Sequence, residues 1–177
     1  MKCISTILFF IAISSCSMSL IAKEPELTVK ATFRGIYPLP DITFGKWNID
    51  YCLFEIHLIN SSNSSVEFLT YTCTPGINIV WDNKNLTIIT NKCVSNNLTT
   101  ITLGPKQIFS FTLILKPEKE LNGEQIKFGW ILLTYENTSS PSNFFNVVER
   151  CRKNFEYVIW SNPVNLESVP RMSYDIN

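Results

Sequence analysis

Residues 107–116 read QIFSFTLILK, and this stretch decides the fold class. Phe109, Phe111, Leu113 and Leu115 occupy alternate positions, which is the period of a β-strand with one face turned towards a core. An amphipathic helix would instead repeat its apolar residues at spacings of three and four. The stretch therefore predicts a half-buried strand.

The same two-residue period recurs on both sides of this strand. Residues 27–33 alternate apolar with polar side chains, and residues 50–60 are apolar on both faces. Further β-rich runs cover residues 66–74, 77–81, 86–90, 99–103, 126–135, 144–148, 155–160 and 164–166. We expect a hairpin around residues 82–85, and the best helical candidate is the short segment 147–154. About eight to ten short strands with frequent turns predict an all-β, antiparallel β-sandwich, with an open barrel as the alternative.

Composition and charge exclude several classes of protein. The chain has 177 residues, which suits one domain, and its 45% hydrophobic content is too high for a disordered protein. Lys+Arg and Asp+Glu balance at 15 each, whereas a nucleic-acid-binding protein normally has a positive surplus. A single histidine leaves little room for imidazole-based metal binding or acid–base catalysis. We predict no cofactor and no nucleic-acid partner.

The N-terminus has the organisation of a secretory signal peptide. Lys2 precedes an apolar run over residues 4–13, which falls within the ~7–15 residues of such signals. The run is shorter than the ~20 residues that a membrane-spanning helix needs. We therefore predict a signal over residues 1–22 and a single exported domain over residues 23–177.

The cleavage site has two interpretations. Ile13-Ser14-Ser15-Cys16 resembles a bacterial lipobox, which implies cleavage before Cys16 and lipidation of its thiol. The alternative is ordinary cleavage after Ala22 or Ser19. The first predicts a lipid-anchored envelope protein whose only membrane contact is the anchor. The second predicts a periplasmic or extracellular protein.

Either cleavage leaves four cysteines available for pairing, because Cys16 is lipidated in the first case and removed in the second: Cys52, Cys73, Cys93 and Cys151. In an exported chain they are disulfide candidates, and four cysteines allow three pairings. We favour Cys73 with Cys93 because a turn at residues 75–76 lets the chain double back between them. Cys52 and Cys151 would then pair or remain free. The spacing contains no Cys-x-x-Cys, so it gives no support for a metal site.

Three segments resemble exported bacterial immunoglobulin-like domains. They are strand 52–60 with its polar Asn/Ser loop, the Leu-Gly-Pro-Lys turn at residues 103–106, and the Lys-Phe-Gly-Trp strand at residues 127–130. The resemblance implies a β-sandwich. It departs from the antibody pattern, because Glu149 and Asn91 stand where such a domain has a tyrosine two residues before its second cysteine.

Few polar residues form a candidate site. His57 is expected to face solvent or a partner, on the opposite face of its strand from Cys52. The acidic set 118, 120 and 124 and the basic set 150, 152 and 153 are interpreted as solvated loops. Trp47, Trp81, Trp130 and Trp160 could form a carbohydrate-binding platform if exposed; we expect 130 and 160 in the core and 47 to be the best exposed candidate.

The sequence favours a non-catalytic, exported β-sandwich that binds an unknown protein or glycan or serves as a structural module. The alternatives are a small secreted hydrolase or carbohydrate-active enzyme with dispersed carboxylates, and a protease-inhibitor-like sandwich. Asn-x-Ser/Thr triplets would be glycan sites on surface loops only in a eukaryotic secretory pathway. They begin at Asn60, Asn63, Asn85, Asn97 and Asn137.

Overall fold

A computed structural model describes residues 27–41, 46–89, 96–121, 123–138 and 140–166, with the side chains of 39–41, 46–49 and 141 outside this description. The signal segment, Cys16 and Cys93 lie outside the described residues. The strands are β1 (Leu27–Asp41), β2 (Lys46–Asn60), β3 (Val66–Tyr71), β4 (Ile79–Trp81), β5 (Leu86–Ile88), β6 (Leu98–Leu103), β7 (Ile108–Pro117), β8 (Gln125–Ile126), β9 (Phe128–Ile131), β10 (Val158–Trp160) and β11 (Val164–Asn165). The helices are α1 (Tyr135–Thr138) and α2 (Phe144–Asn154), with 3-10 turns at Pro75–Asn78 and Pro141–Asn143.

The strands form two layers. The first layer, sheet A, has the order β1-β2-β7-β5, and all of its pairs are antiparallel. The second layer combines the sheet β10-β9-β4 with the pairs β3-β6 and β8-β11, which are also antiparallel. None of the described sheets closes on itself. The prediction of an all-β antiparallel sandwich is confirmed.

The core lies between these layers and follows the period-two pattern. Leu113 and Leu115 on β7 are buried, as the stretch 107–116 predicts. The ring of Phe54 on β2 packs against Phe128 of the second layer with centroids 4.7 Å apart. Alternate side chains of both layers therefore fill one apolar interior.

Strand β1 is longer than its sequence suggests. Gly35, Pro38 and Pro40 predict that the strand ends soon after residue 33, yet it continues to Asp41. A register shift between Phe33 and Gly35 marks a β-bulge, and Gly35 adopts φ 137°, which suits a residue without a Cβ. Because β1 is an edge strand of sheet A, a proline there costs no hydrogen bond to a further strand.

The hairpin expected around residues 82–85 is wrong. Strand β4 pairs with β9 in the second layer, whereas β5 pairs with β7 in sheet A. The turn therefore carries the chain from one layer to the other. Trp81 stabilises this turn, because its indole Nε1 donates a hydrogen bond to the main-chain carbonyl of Leu86 at 3.0 Å.

A buried asparagine joins two strands where their direct pairing is interrupted. The Leu69 amide of β3 donates to the Leu133 carbonyl at 2.7 Å. Next to this contact, Asn78 Nδ2 donates to the carbonyls of Leu69 and Ile131, each at 3.0 Å. The side chain of Asn78 thus bridges β3 and β9 beside this main-chain hydrogen bond.

Helix α2 covers the outer face of the second layer. Its buried residues Phe144, Val147, Val148 and Cys151 repeat with helical period, and they pack on a cluster that includes Val80 of β4. The helix includes the candidate 147–154 but begins three residues earlier, in a run that looked β-rich because it is apolar. Strand 126–135 is also shorter than expected: β9 ends at Ile131. Neither described helix is long and apolar enough to cross a bilayer.

Candidate functional site

The cysteines are placed for structure rather than for chemistry. Cys52 and Cys151 are free and buried, so these two disulfide candidates do not pair with each other. Cys52 lies in the core between the layers and Cys151 in the separate cluster under α2. Burial, and to a smaller extent Asp50, raises the pKa of the Cys52 thiol to about 11, which suppresses the nucleophilic thiolate.

Cys52 and Cys151 are free thiols, so neither of them pairs with Cys73. The favoured partner, Cys93, lies outside the described residues, so the bridge Cys73–Cys93 stays a prediction.

Glu118 and Glu124 of the acidic set bond to neighbouring side chains. Glu118 accepts a hydrogen bond from the Thr87 hydroxyl at 2.8 Å. Glu124 accepts one from Asn83 and pairs with Lys119 Nζ at 3.1 Å, and these hydrogen bonds lower the pKa of its carboxyl. Among the described residues, no group of three or more His, Cys, Asp or Glu side chains could hold a metal ion.

The basic set does not form one anion-binding patch. Arg150 pairs with Glu156, with 3.3 Å between nitrogen and oxygen. Arg152 pairs with Glu149 and donates to the main-chain carbonyl of Ile77 at 2.6 Å. Both guanidinium groups are thus used within the chain.

Asn60, which begins one of the Asn-x-Ser/Thr triplets, lies in the interior of the fold. Asn60 is fully buried, and its Nδ2 donates to the carbonyls of Ser64, Leu103 and Gly104 at 2.7, 2.8 and 3.0 Å. The side chain joins two neighbouring turns. In the folded chain it is therefore not a surface acceptor for a glycan.

The tryptophans are distributed differently from the expectation. Trp130 is fully buried as expected, Trp81 is half-buried, and the side chain of Trp47 is not described. Trp160 was expected in the core but is 37% exposed. It shares the outer face of the second layer with Val158, which packs against the α2 cluster, but it lies further along the strand, where the helix has ended.

Trp160 belongs to an exposed group of aromatic residues that we call the aromatic shelf: Phe155, Tyr157 and Trp160. The rings of Phe155 and Trp160 are 5.4 Å apart and tilted by 53°. Phe155 and Tyr157 are each 53% exposed. Exposed aromatic clusters of this kind mark binding surfaces more often than isolated apolar residues do.

The position of the indole depends on a glycine. Trp160 is the register partner of Gly129 on β9. A Cβ built on Gly129 would lie 3.1 Å from Trp160 Cε3, 2.8 Å from Val80 Cγ2 and 2.3 Å from Val158 Cγ1. The missing side chain therefore lets the indole lie directly on the backbone of the sheet.

The backbone is strained at Phe155 and Tyr157, which carry the other two rings of the shelf. Phe155 and Tyr157 both adopt φ 55°, a left-handed conformation that costs a residue with a Cβ ~1–2 kcal/mol. Hydrogen bonds hold this turn: the Phe155 amide donates to Cys151 O, and the Leu132 amide donates to Tyr157 O at 2.9 Å. Glycine would end the helix without strain, so the two aromatic side chains are not needed for the turn.

An open groove of about 400 Å³ adjoins the shelf. Phe155 and Tyr157 form part of its wall, and Thr134 and Asn137 supply polar groups. Asn137 Oδ1 accepts the Thr134 amide at 2.7 Å, which fixes the side-chain amide in place. The groove therefore combines apolar rings with an oriented hydrogen-bonding group.

A second feature, which we call the polar row, lies on the solvent face of sheet A. It consists of Arg34 on β1, Glu55 and His57 on β2, and Ser110 on β7. His57 Nδ1 is 2.7 Å from Ser110 Oγ, and His57 Nε2 is 3.7 Å from Glu55 Oε1. Arg34 Nε donates to Glu55 Oε2 at 2.8 Å. His57 thus faces away from the buried Cys52, as strand alternation predicts.

No protein-family model and no curated protein matches the chain. Sequence reasoning missed residues 155 and 157 in the shelf. One sequence signal could have found them: the helical segment ends at residue 154 without a glycine, and aromatic residues follow at positions 155 and 157.

Proposed function

We propose that this chain is an exported, non-catalytic β-sandwich that binds a neutral carbohydrate on the aromatic shelf. The observation that carries this proposal is the exposed Phe155–Trp160 ring pair, fixed on one side by Gly129 and on the other by the left-handed turn. An apolar patch of this kind costs solvation and backbone strain, and a stacked ligand would offset both.

The chemistry of a sugar suits this surface. One face of a pyranose ring presents C–H bonds with partial positive charge, and the face of an aromatic ring is negative. The hydroxyl groups at the edge of the sugar would meet Thr134 and Asn137 in the groove. Glu156, the charged residue within the turn, already pairs with Arg150, so the site favours a neutral ligand.

Preorganisation supports a binding role. The indole of Trp160 rests on the sheet, and the turn that carries Phe155 and Tyr157 is held by main-chain hydrogen bonds. Ordering a free side chain at an interface costs about 0.5–1.5 kcal/mol, and a fixed shelf avoids much of this cost.

The predicted signal segment would export the domain to a compartment outside the cytoplasm, where glycans are accessible. A lipid anchor at Cys16 would hold the domain at the envelope, and cleavage after Ala22 would release it. An anchored domain would present its shelf to glycans of the envelope itself.

The test uses the mature chain with insoluble polysaccharides (cellulose, chitin and peptidoglycan) and with a panel of soluble neutral and acidic oligosaccharides. We expect binding to at least one neutral glycan, weakened about tenfold or more by Trp160→Ala, as for an aromatic anchor. Phe145→Ala is the matched control, because Phe145 is 52% exposed but lies on α2 outside the shelf.

Two outcomes would overturn the proposal. One is glycan binding that Trp160→Ala leaves unchanged while circular dichroism shows both proteins folded. The other is no glycan binding at all, combined with shelf-dependent cross-linking to a protein. The second outcome would make the shelf a protein interface.

A further inference from the structure

We propose that Ser110 in the polar row is a nucleophile, activated by His57, that accepts an acyl group from a small activated ester. This reactivity is separate from glycan binding, because the polar row lies on the solvent face of sheet A and the shelf lies on the second layer. It makes Ser110 a site of covalent acylation.

The geometry brings a hydroxyl and a base together. Ser110 and His57 are register partners on neighbouring strands, so their backbones are fixed opposite each other. The 2.7 Å between Ser110 Oγ and His57 Nδ1 is the distance of a strong hydrogen bond. With the ring proton on Nε2, Nδ1 is the acceptor for the serine proton.

Glu55 places a carboxylate beside the imidazole, at ion-pair distance. Its Oε1 is 3.7 Å from His57 Nε2, and its Oε2 is held by Arg34. The hydrogen bond from Arg34 lowers the pKa of the Glu55 carboxyl, with smaller contributions from the charges of Arg34 and His57. An ionised carboxylate at this place stabilises the imidazolium that forms when His57 takes the serine proton.

Lys30 is the remaining charged neighbour in register. It lies on β1 opposite His57 and is exposed on the same side of the sheet. Because β2 lies between β1 and β7, His57 separates Lys30 from Ser110, so this positive charge is in register with the imidazole rather than with the serine. Ser110 is exposed on this face, so a small activated ester can reach it.

The step balances without any further reactant. Ser110 Oγ attacks the carbonyl carbon of the ester while its proton passes to His57 Nδ1. The bond between the carbonyl carbon and the leaving oxygen then breaks, and the leaving oxygen takes the proton from His57. The products are an acyl ester on Ser110 and a free alcohol.

The experiment incubates the mature chain with p-nitrophenyl acetate in the absence of any glycan. We expect a stoichiometric burst of nitrophenol and the mass of one acetyl group on the tryptic peptide that contains Ser110. His57→Gln should slow acylation about 100-fold or more, the usual contribution of a general base. Added imidazole should restore the rate of His57→Ala, which a merely structural role would not produce.

The controls separate reactivity from folding. Ser110→Ala should remove the adduct, and Thr112→Ala, an exposed hydroxyl two residues along the same face, should leave it unchanged. Glu55→Gln should slow acylation, and Glu55→Asp should recover part of the rate. Acetyl groups found only on lysines, or an unchanged rate in folded His57→Gln, would overturn the proposal. Neither result bears on the shelf, because no glycan is present.

Discussion

Replacing Gly129 by alanine tests how the shelf is built. The new Cβ would approach Val158 Cγ1 to 2.3 Å and Val80 Cγ2 to 2.8 Å, distances that real Cβ atoms essentially never show. Trp160 Cε3 would be 3.1 Å away. These neighbours are buried or held between the sheet, α2 and Phe155, so they cannot all move aside without loss of packing.

The magnitude follows from two opposing terms. Overpacking a well-packed site costs ~1–3 kcal/mol, and the short Val158 contact places this substitution at the upper end, about 3 kcal/mol. Removing a glycine from a strand returns ~0.5–1 kcal/mol because the unfolded chain loses freedom. We therefore expect Gly129→Ala to lower the free energy of unfolding by about 2 kcal/mol.

Urea denaturation followed by tryptophan fluorescence measures this change. Gly76→Ala is the matched control, because its Cβ would meet only Leu113 Cδ1 at 3.3 Å and Ile88 Cδ1 at 3.5 Å, both ends of side chains. That control should stay within about 1 kcal/mol of the wild type. Gly129→Ala should also weaken glycan binding, since the indole must lift from the sheet.

A Gly129→Ala protein as stable as the wild type would refute this description of the shelf. The double variant Gly129→Ala with Val158→Ala gives a second check, because it removes the atom in the closest contact. The double variant should lose less free energy of unfolding than the two single variants lose together, and the difference should be at least ~0.5 kcal/mol. Simple additivity would show that the two positions are not in contact.

Three further predictions concern the turn, the core and the polar row. Tyr157→Gly should be more stable than Tyr157→Ala by about 1 kcal/mol in urea denaturation, because only glycine adopts φ 55° without strain; the opposite order would contradict the left-handed turn. Asn78→Leu should cost at least ~2 kcal/mol, since two buried carbonyls lose their donor, and a neutral result would show that they find other partners. The carboxyl of Glu55 has a pKa below its ordinary value of 4.5, so its contribution to stability is present above that pH and lost as the pH falls through the lowered pKa. The stability advantage of the wild type over Arg34→Gln should therefore shrink between about pH 7 and about pH 3, and a constant difference would exclude this pairing.

Local patterns predicted the strands that lie across the core. In residues 107–116 the side-chain alternation coincides with burial, because a strand in a sandwich has a period of two whatever its partner. Residues 50–60 look apolar on both faces, yet only the face with Phe54 and Ile56 is fully buried, and the other face carries Glu55 and His57. The same logic failed for residues 144–148. Phe144, Val147 and Val148 are apolar and β-prone, yet they form a helix because that helix covers the outer face of the second layer.

The chain by itself determined the sandwich class and the opposite placement of Cys52 and His57, since strand alternation depends on neighbours in sequence. The export signal stays a prediction. Tertiary structure alone decided the candidate sites. Trp160 is exposed because α2 ends before it, and its indole approaches the backbone because the register places it beside Gly129. Ser110 meets His57 because β7 pairs with β2. Strand register, and the choice of which element covers a sheet, depend on contacts between segments that are distant in sequence. The spacing of apolar residues within one segment does not determine them.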